Sequence, residues 1–202
     1  TNYNALNGYG FNPWDPRRDP RDAQFDGRPV LMTGGSSSGV GTNVSFWVGN
    51  VGTETSGSIL SPSIQNFLVG IKPTVGRVGR CAFSPLPPDQ DSPGPRTRAV
   101  SDAALMRGAM EGRAPDPNDE ATKTCQAPAR NDYTAFLDAN ALRGARIGIP
   151  RAFYYDRTVP PAGGSNNPRG GLNDEQRKVM TEVIELLKAR GAVIVDPADI
   201  PS

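Results

Sequence analysis

Two serines in glycine-rich loops hold the densest chemistry in the chain. The first loop reads Gly34-Gly35-Ser36-Ser37-Ser38-Gly39 and the second Gly52-Thr53-Glu54-Thr55-Ser56-Gly57-Ser58, which sets Ser36 and Ser58 22 positions apart. Glycine frees the backbone at both places, so a hydroxyl can stand clear while successive N–H groups point at one oxygen. Such chemistry would be nucleophilic attack by a serine oxygen. The chain contains no histidine. A Ser-His-Asp triad, a Cys-His dyad and a histidine-bearing zinc site are therefore all excluded. Any nucleophilic serine here must use a different base.

By itself the first loop fits a flexible linker, a phosphate cradle or a catalytic turn. A P-loop needs Lys-Ser or Lys-Thr after its glycines, and this loop has neither. A linker does not explain why a second serine-bearing loop follows at once.

Composition limits the partner. With 202 residues and 36% hydrophobic content, the chain can bury one sizeable core, in one domain or two. No run approaches eighteen apolar residues, so no membrane span is expected, and no basic start leads into an apolar stretch. A net charge of +1 supplies no field to recruit nucleic acid or an anionic membrane. The expected partner is a small molecule or a peptide. Arg17, Arg18 and Arg21 alternate with aspartates and read as a solvated loop. Cys81 and Cys125 lie in neither a CxxC motif nor a metal pattern and read as free thiols of a reducing compartment, with pairing left open.

The elements that must position the loops can be taken in order. Residues 1–33, rich in glycine and proline but carrying Tyr9, Phe11 and Trp14, predict ordered irregular backbone. Val44, Trp47 and Val48 fall at helical spacing and predict a short buried helix within residues 40–50. Pro62 suits the first turn of another helix. Five prolines between Val75 and Arg98 predict a long crossing loop. Ser101 or Asp102 is expected to cap a helix through Met110, with Leu105, Met106 and Met110 facing the core and Gly112 near its end. Residues 113–131 read as a surface connector, and Asp132 as the cap of a short helix through Leu137.

The segment 145–150 predicts a buried strand, and residues 159–171 a mobile loop by composition. Asn173, with Gln176 three positions on, predicts a capping box. The helix it opens would bury Val179, Met180, Val183, Ile184 and Leu187 and stop at Gly191. A strand at residues 192–195 then completes a βαβ-like unit.

The ordered combination of motifs resembles the amidase signature family of hydrolases. It comprises the two serine loops, the second continuing through Ile59 and Pro62, then Gly70-Ile71-Lys72-Pro73-Thr74 with Gly76-Arg77, and finally Asp91-Ser92-Pro93-Gly94-Pro95 with Arg98 and Asp102. The match runs from about Tyr9 to Asp102. The resemblance implies an α/β fold, a mixed sheet flanked by helices, with residues 1–202 forming part of one amidase signature domain. Its signature core would cover about residues 30–102, leaving a loop-rich and βαβ-like remainder over 103–202.

It further implies a Ser-cisSer-Lys triad. Ser58 would be the nucleophile, and Ser36, reached through a cis peptide after Gly35, would relay its proton to a lysine. The backbone N–H groups of Thr55, Ser56, Gly57 and Ser58 would form the oxyanion hole, with Gly35 and Ser37 supporting the turn. Phe46 and Trp47 are expected to pack around the site. The substrate would be a small-molecule or peptide amide, and neither metal nor organic cofactor is implied. Holding a lysine neutral near pH 7 instead of roughly 10.4 costs about 4–5 kcal/mol, so the base must be buried.

Three departures from the family pattern bear on this expectation. The family's base lysine lies further upstream than the 35 residues before Ser36, so it is expected outside this chain, and Lys72, Lys123, Lys178 and Lys188 are poor substitutes. The serine spacing is shorter than the commoner one, which predicts a shortened helix or altered turn between the loops. Leu60 stands where many members, including the glutaminyl-tRNA amidotransferase A subunits, carry arginine, which weakens an amidotransferase reading.

Overall fold

The computed structural model describes residues 3–6, 8–16, 35, 39–81, 86–159 and 167–200. The chain divides into two compact units, Thr1–Phe136 and Leu137–Ser202.

The first unit opens with a two-stranded antiparallel ribbon of β1 (Tyr3–Asn4) and β2 (Gly8–Tyr9). Its main sheet has three strands in the order β3 (Gly49–Glu54), β5 (Ser92–Thr97), β4 (Val69–Gly70), all antiparallel. The central strand is the segment whose prolines predict a crossing loop, and every one of its six residues is buried.

Hydrogen-bond direction explains how a strand reading Ser-Pro-Gly-Pro-Arg-Thr can be central. The Pro95 carbonyl accepts from the Ile71 N–H at 3.1 Å, so the polar groups of residues 93, 95 and 97 face β4. The prolines' missing donors therefore fall on the side where the partner strand is only two residues long. Ser92, Gly94 and Arg96 keep their N–H groups for the six-residue pairing with β3.

Helix α1 (Val40–Asn43) is a single turn. It buries Gly41 and Thr42, while Val44, Trp47 and Val48 are exposed, contrary to the helical stripe expected of them. The helix stops early because Trp47 folds back over it. The indole ring occupies the place a Cβ on Gly41 would take, and its Nε1 donates to Thr42 Oγ1 at 2.8 Å. Helix α2 (Leu60–Gln65) carries Pro62 in its first turn, where an N–H has no intrahelical acceptor anyway.

Helix α3 (Val100–Met110) starts from Ala99 in extended backbone, with no side-chain cap from Ser101 or Asp102. It buries Ala103, Ala104 and Arg107, whereas Leu105 is exposed and Met106 and Met110 are half-buried. Small residues face inward because the approach is close. A Cβ on Gly108 would lie 2.1 Å from the Asn131 carbonyl oxygen.

Three single 3₁₀ turns follow, at Glu120–Thr124, Ala129–Asn131 and Thr134–Phe136. Asp132 accepts from the Thr134 N–H at 2.9 Å and so opens only this last turn in place of a longer helix. Ion pairs tie these segments down. Arg80 grips both carboxylate oxygens of Asp119 at 2.8 and 2.6 Å, and Arg77 and Arg107 converge on Glu111 at 3.1 and 3.4 Å.

In the second unit, β6 (Arg146–Gly148) and β7 (Val193–Val195) pair in parallel, joined through α4 (Asp174–Ala189). The capping box of Asn173 and Gln176 is present in both directions, at 2.8 and 3.0 Å. Gly191 ends the helix at a φ of 91°, which a side chain disfavours. The core is small: Ile149, Tyr155 and Ile184, with Ile147, Leu172, Met180 and Ile194 packed against it. Of the expected stripe only Ile184 is buried, while Val179 and Val183 are exposed. The strand β6 is likewise mostly exposed, with Ile149 just beyond it buried. Of the loop expected over residues 159–171, positions 160–166 lie outside the described residues.

Candidate active site

Strand β3 delivers the second serine loop. Its last residue, Glu54, is buried at 4% exposure, and one carboxylate oxygen accepts the N–H groups of Ile59 at 2.7 Å and Leu60 at 2.8 Å. The chain between donor and acceptor is thereby folded into a closed turn at the start of α2. Ile59 is completely buried and anchors the turn from below, and Ser61 N–H donates to the Gly57 carbonyl at 2.8 Å. Residues 55–58 are left looping outward between these fixed points. Ser58 is half-buried, Gly57 has a φ of 148°, and nothing lies within 4 Å of where a Gly57 Cβ would stand.

The polar groups of this loop are distributed unevenly. Among the described residues, the N–H groups of Thr55, Ser56, Gly57 and Ser58 have no hydrogen-bond acceptor, whereas those of Ile59, Leu60 and Ser61 are all taken. Backbone donors left free in succession in a structured turn are uncommon and suit an external oxygen. The Thr55 hydroxyl donates to Asp91 Oδ1 at 3.3 Å, which links the loop to the residue preceding β5.

The first loop reaches the same place. Gly35 adopts a φ of 44°, and a Cβ there would lie 2.8 Å from the Ser58 carbonyl oxygen and 2.9 Å from the Pro62 ring. Only glycine lets the two loops touch this closely. Ser36, Ser37 and the peptide after Gly35 lie outside the described residues.

Other expected participants are placed elsewhere or otherwise occupied. Phe46 and Trp47 stack edge to face on one another and are exposed among the described residues. Lys72 Nζ donates to the Gln90 carbonyl at 2.8 Å and to Ser92 Oγ at 3.3 Å. Lys123 and Lys188 pair with Glu120 and Glu185, and Lys178 is exposed on α4. Cys81 and Cys125 are free thiols. The Cys81 thiol donates to Asp116 at 2.9 Å, which raises the thiol's pKa and lowers that of the carboxylate. Sequence reasoning did not single out Glu54. An acidic residue six positions ahead of a helix that lacks its own Ser, Thr, Asp or Asn cap is the signal that could have found it.

Comparison with known proteins gives the family and the fold. The model of the Amidase family matches residues 3–202. A solved peptide amidase from Stenotrophomonas maltophilia superposes with a TM-score of 0.76 at 33% identity, over 100% of this chain and 35% of that one. An amidase family protein from Bacillus anthracis gives 0.74 at 32% identity, over 100% and 34%. The A subunit of the glutamyl-tRNA(Gln) amidotransferase from Paramagnetospirillum magneticum is 34% identical across 198 residues, 97% of this chain and 35% of that protein. The chain belongs to the amidase family and has the amidase signature fold. It spans about a third of the length of the curated relatives it matches.

Proposed function

We propose that this chain carries the acyl-transfer part of an enzyme that cleaves carboxylic amides, with Ser58 as the nucleophile. The free N–H groups of residues 55–58, held in a turn that Glu54 closes, carry the reading. Ser58 Oγ adds to the amide carbonyl as its proton passes through Ser36 to a lysine base. The oxyanion of the tetrahedral intermediate is received by the backbone donors of Thr55, Ser56, Gly57 and Ser58. Collapse of that intermediate breaks the C–N bond. The leaving amine or ammonia takes the proton, and water then attacks the acyl-serine and releases the acid.

Family membership and the likeness to a peptide amidase support an enzyme acting on C–N bonds. The contact of Gly35 with the Ser58 carbonyl supports Ser36 as the relay, since Ser36 is the next residue in the chain. The base is proposed to lie beyond these 202 residues, because Lys72, Lys123 and Lys188 are engaged with other groups. The chain by itself should then turn over amides poorly. Similarity to the A subunit of an amidotransferase favours a second reading, in which the ammonia released is passed to an acylated tRNA on partner subunits. Leu60 weighs against it.

A fluorophosphonate probe tests the proposal. In the full-length enzyme, which includes the proposed base, stoichiometric labelling that disappears in Ser58→Ala and persists in Ser61→Ala is expected. Labelling that survives Ser58→Ala would remove Ser58 from the mechanism.

A further inference from the structure

Arg96 sits in the middle of the main sheet, on β5, with a relative exposure of 0%. Its guanidinium packs against the neighbouring strand at Gly52. A Cβ on Gly52 would stand 3.2 Å from both Cζ and Nε of Arg96, and 3.2 Å from Cγ1 of Ile59. Glycine at position 52 is what makes room for the group. Two residues back on the same face, a Cβ on Gly94 would meet Ile59 Cδ1 at 2.9 Å, so the wall beside the guanidinium is apolar.

Among the described residues no hydrogen-bond partner is present for Nε, Nη1 or Nη2 of Arg96, and all three nitrogens are shielded from solvent. Arg77, Arg80, Arg98, Arg107, Arg151 and Arg177 each donate to an oxygen. Glu54, on the same face of β3 two residues beyond Gly52, is committed to Ile59 and Leu60. Burial draws the Arg96 pKa down to about 10, still high enough for the cation to persist at neutral pH. A buried charge with five unused donors in a planar fork is costly, and its geometric complement is a carboxylate bound through two parallel N–H···O bonds.

We propose that Arg96, over Gly52 and beside Ile59, is an internal anion site that takes a small carboxylate. The ligand bridges β3, β5 and the turn that begins α2, because each contributes a wall. Access requires only a local opening of that turn, which Ile59 anchors from below. The site needs no catalytic serine and stands independently of the amidase reading.

Sodium formate is the probe, with sodium chloride at equal ionic strength as the reference and the 202-residue chain as the sample. The Nε–Hε resonance of Arg96, assigned by its loss in Arg96→Lys, is expected to move saturably with formate while other arginine signals follow the salt alone. Thermal unfolding should rise by several degrees in about 100 mM formate for the wild type. The rise should fall at least threefold in Arg96→Lys, which keeps the charge but not the fork, and vanish in Arg96→Met. If Arg96→Met fails to fold, the resonance titration and Arg96→Lys still decide. An Arg96 signal that does not saturate, or equal midpoint rises in wild type and variants, overturns the proposal.

Discussion

Replacing Glu54 with alanine should loosen the serine turn more than any other single change in it. The carboxylate holds two backbone donors, at 2.7 and 2.8 Å. A hydrogen bond to a charged group contributes about 1.5–3 kcal/mol, and a buried donor left without its acceptor pays its desolvation in full. The two donors differ. Ile59 is completely buried and its N–H has no water to turn to, whereas Leu60 is 43% exposed and can recover one. The cost therefore concentrates at Ile59, and we expect about 3–4 kcal/mol for Glu54→Ala. Glu54→Gln keeps a neutral acceptor of the same shape and should lose about 1–2 kcal/mol. Because the chain has two units, bulk unfolding would blur the effect, and amide hydrogen exchange is the sharper assay. The Ile59 amide should exchange at least a hundredfold faster in Glu54→Ala, with α4 unchanged. Wild-type protection of Ile59 in that variant would refute the claim that the carboxylate closes the turn.

Other perturbations follow from single contacts. Gly94→Ala would push a methyl to 2.0 Å from the Ile71 carbonyl oxygen, and should cost about 1–3 kcal/mol in urea unfolding. Asn173→Ala removes the capping box and should cost about 1 kcal/mol, read as faster exchange in the first turn of α4. The Arg80 guanidinium lowers the pKa of Asp119 through its hydrogen bonds, so their stabilisation is present above the ordinary carboxylate range and is lost as pH falls through the depressed folded value. Asp119→Asn should flatten this acid limb and, since both side chains are nearly buried, cost about 3 kcal/mol at pH 7.

The sequence was most readable where the signal is local. Asn173, Gln176 and Gly191 delimit α4 as they stand, because caps depend on residues within one turn of each other. The strand at residues 92–97 was hidden for the opposite reason. Its prolines read as breakers, and only the pairing direction shows that their absent donors face a short partner. The stripe of Val44, Trp47 and Val48 misled because helical spacing cannot reveal that Trp47 folds back onto Gly41. In the candidate site, glycine marked where the loops approach. Glu54 and Arg96 act across β3 and β5 and leave little trace in their neighbours' identities.

The two silent positions in β5 also govern how the sheet can be assembled. With no donor at Pro93 or Pro95, a strand arriving on the β4 side meets a β5 donor only at Thr97, opposite Val69, while the Pro95 carbonyl accepts from the Ile71 N–H. Sliding β4 by two residues toward Pro93 would face its carbonyls with nothing to bind. Mispaired registers and strands borrowed from another chain are thus discouraged by the same residues that looked unfit for a sheet. The proline pair serves as a proofreading device for the alignment of β4 on β5.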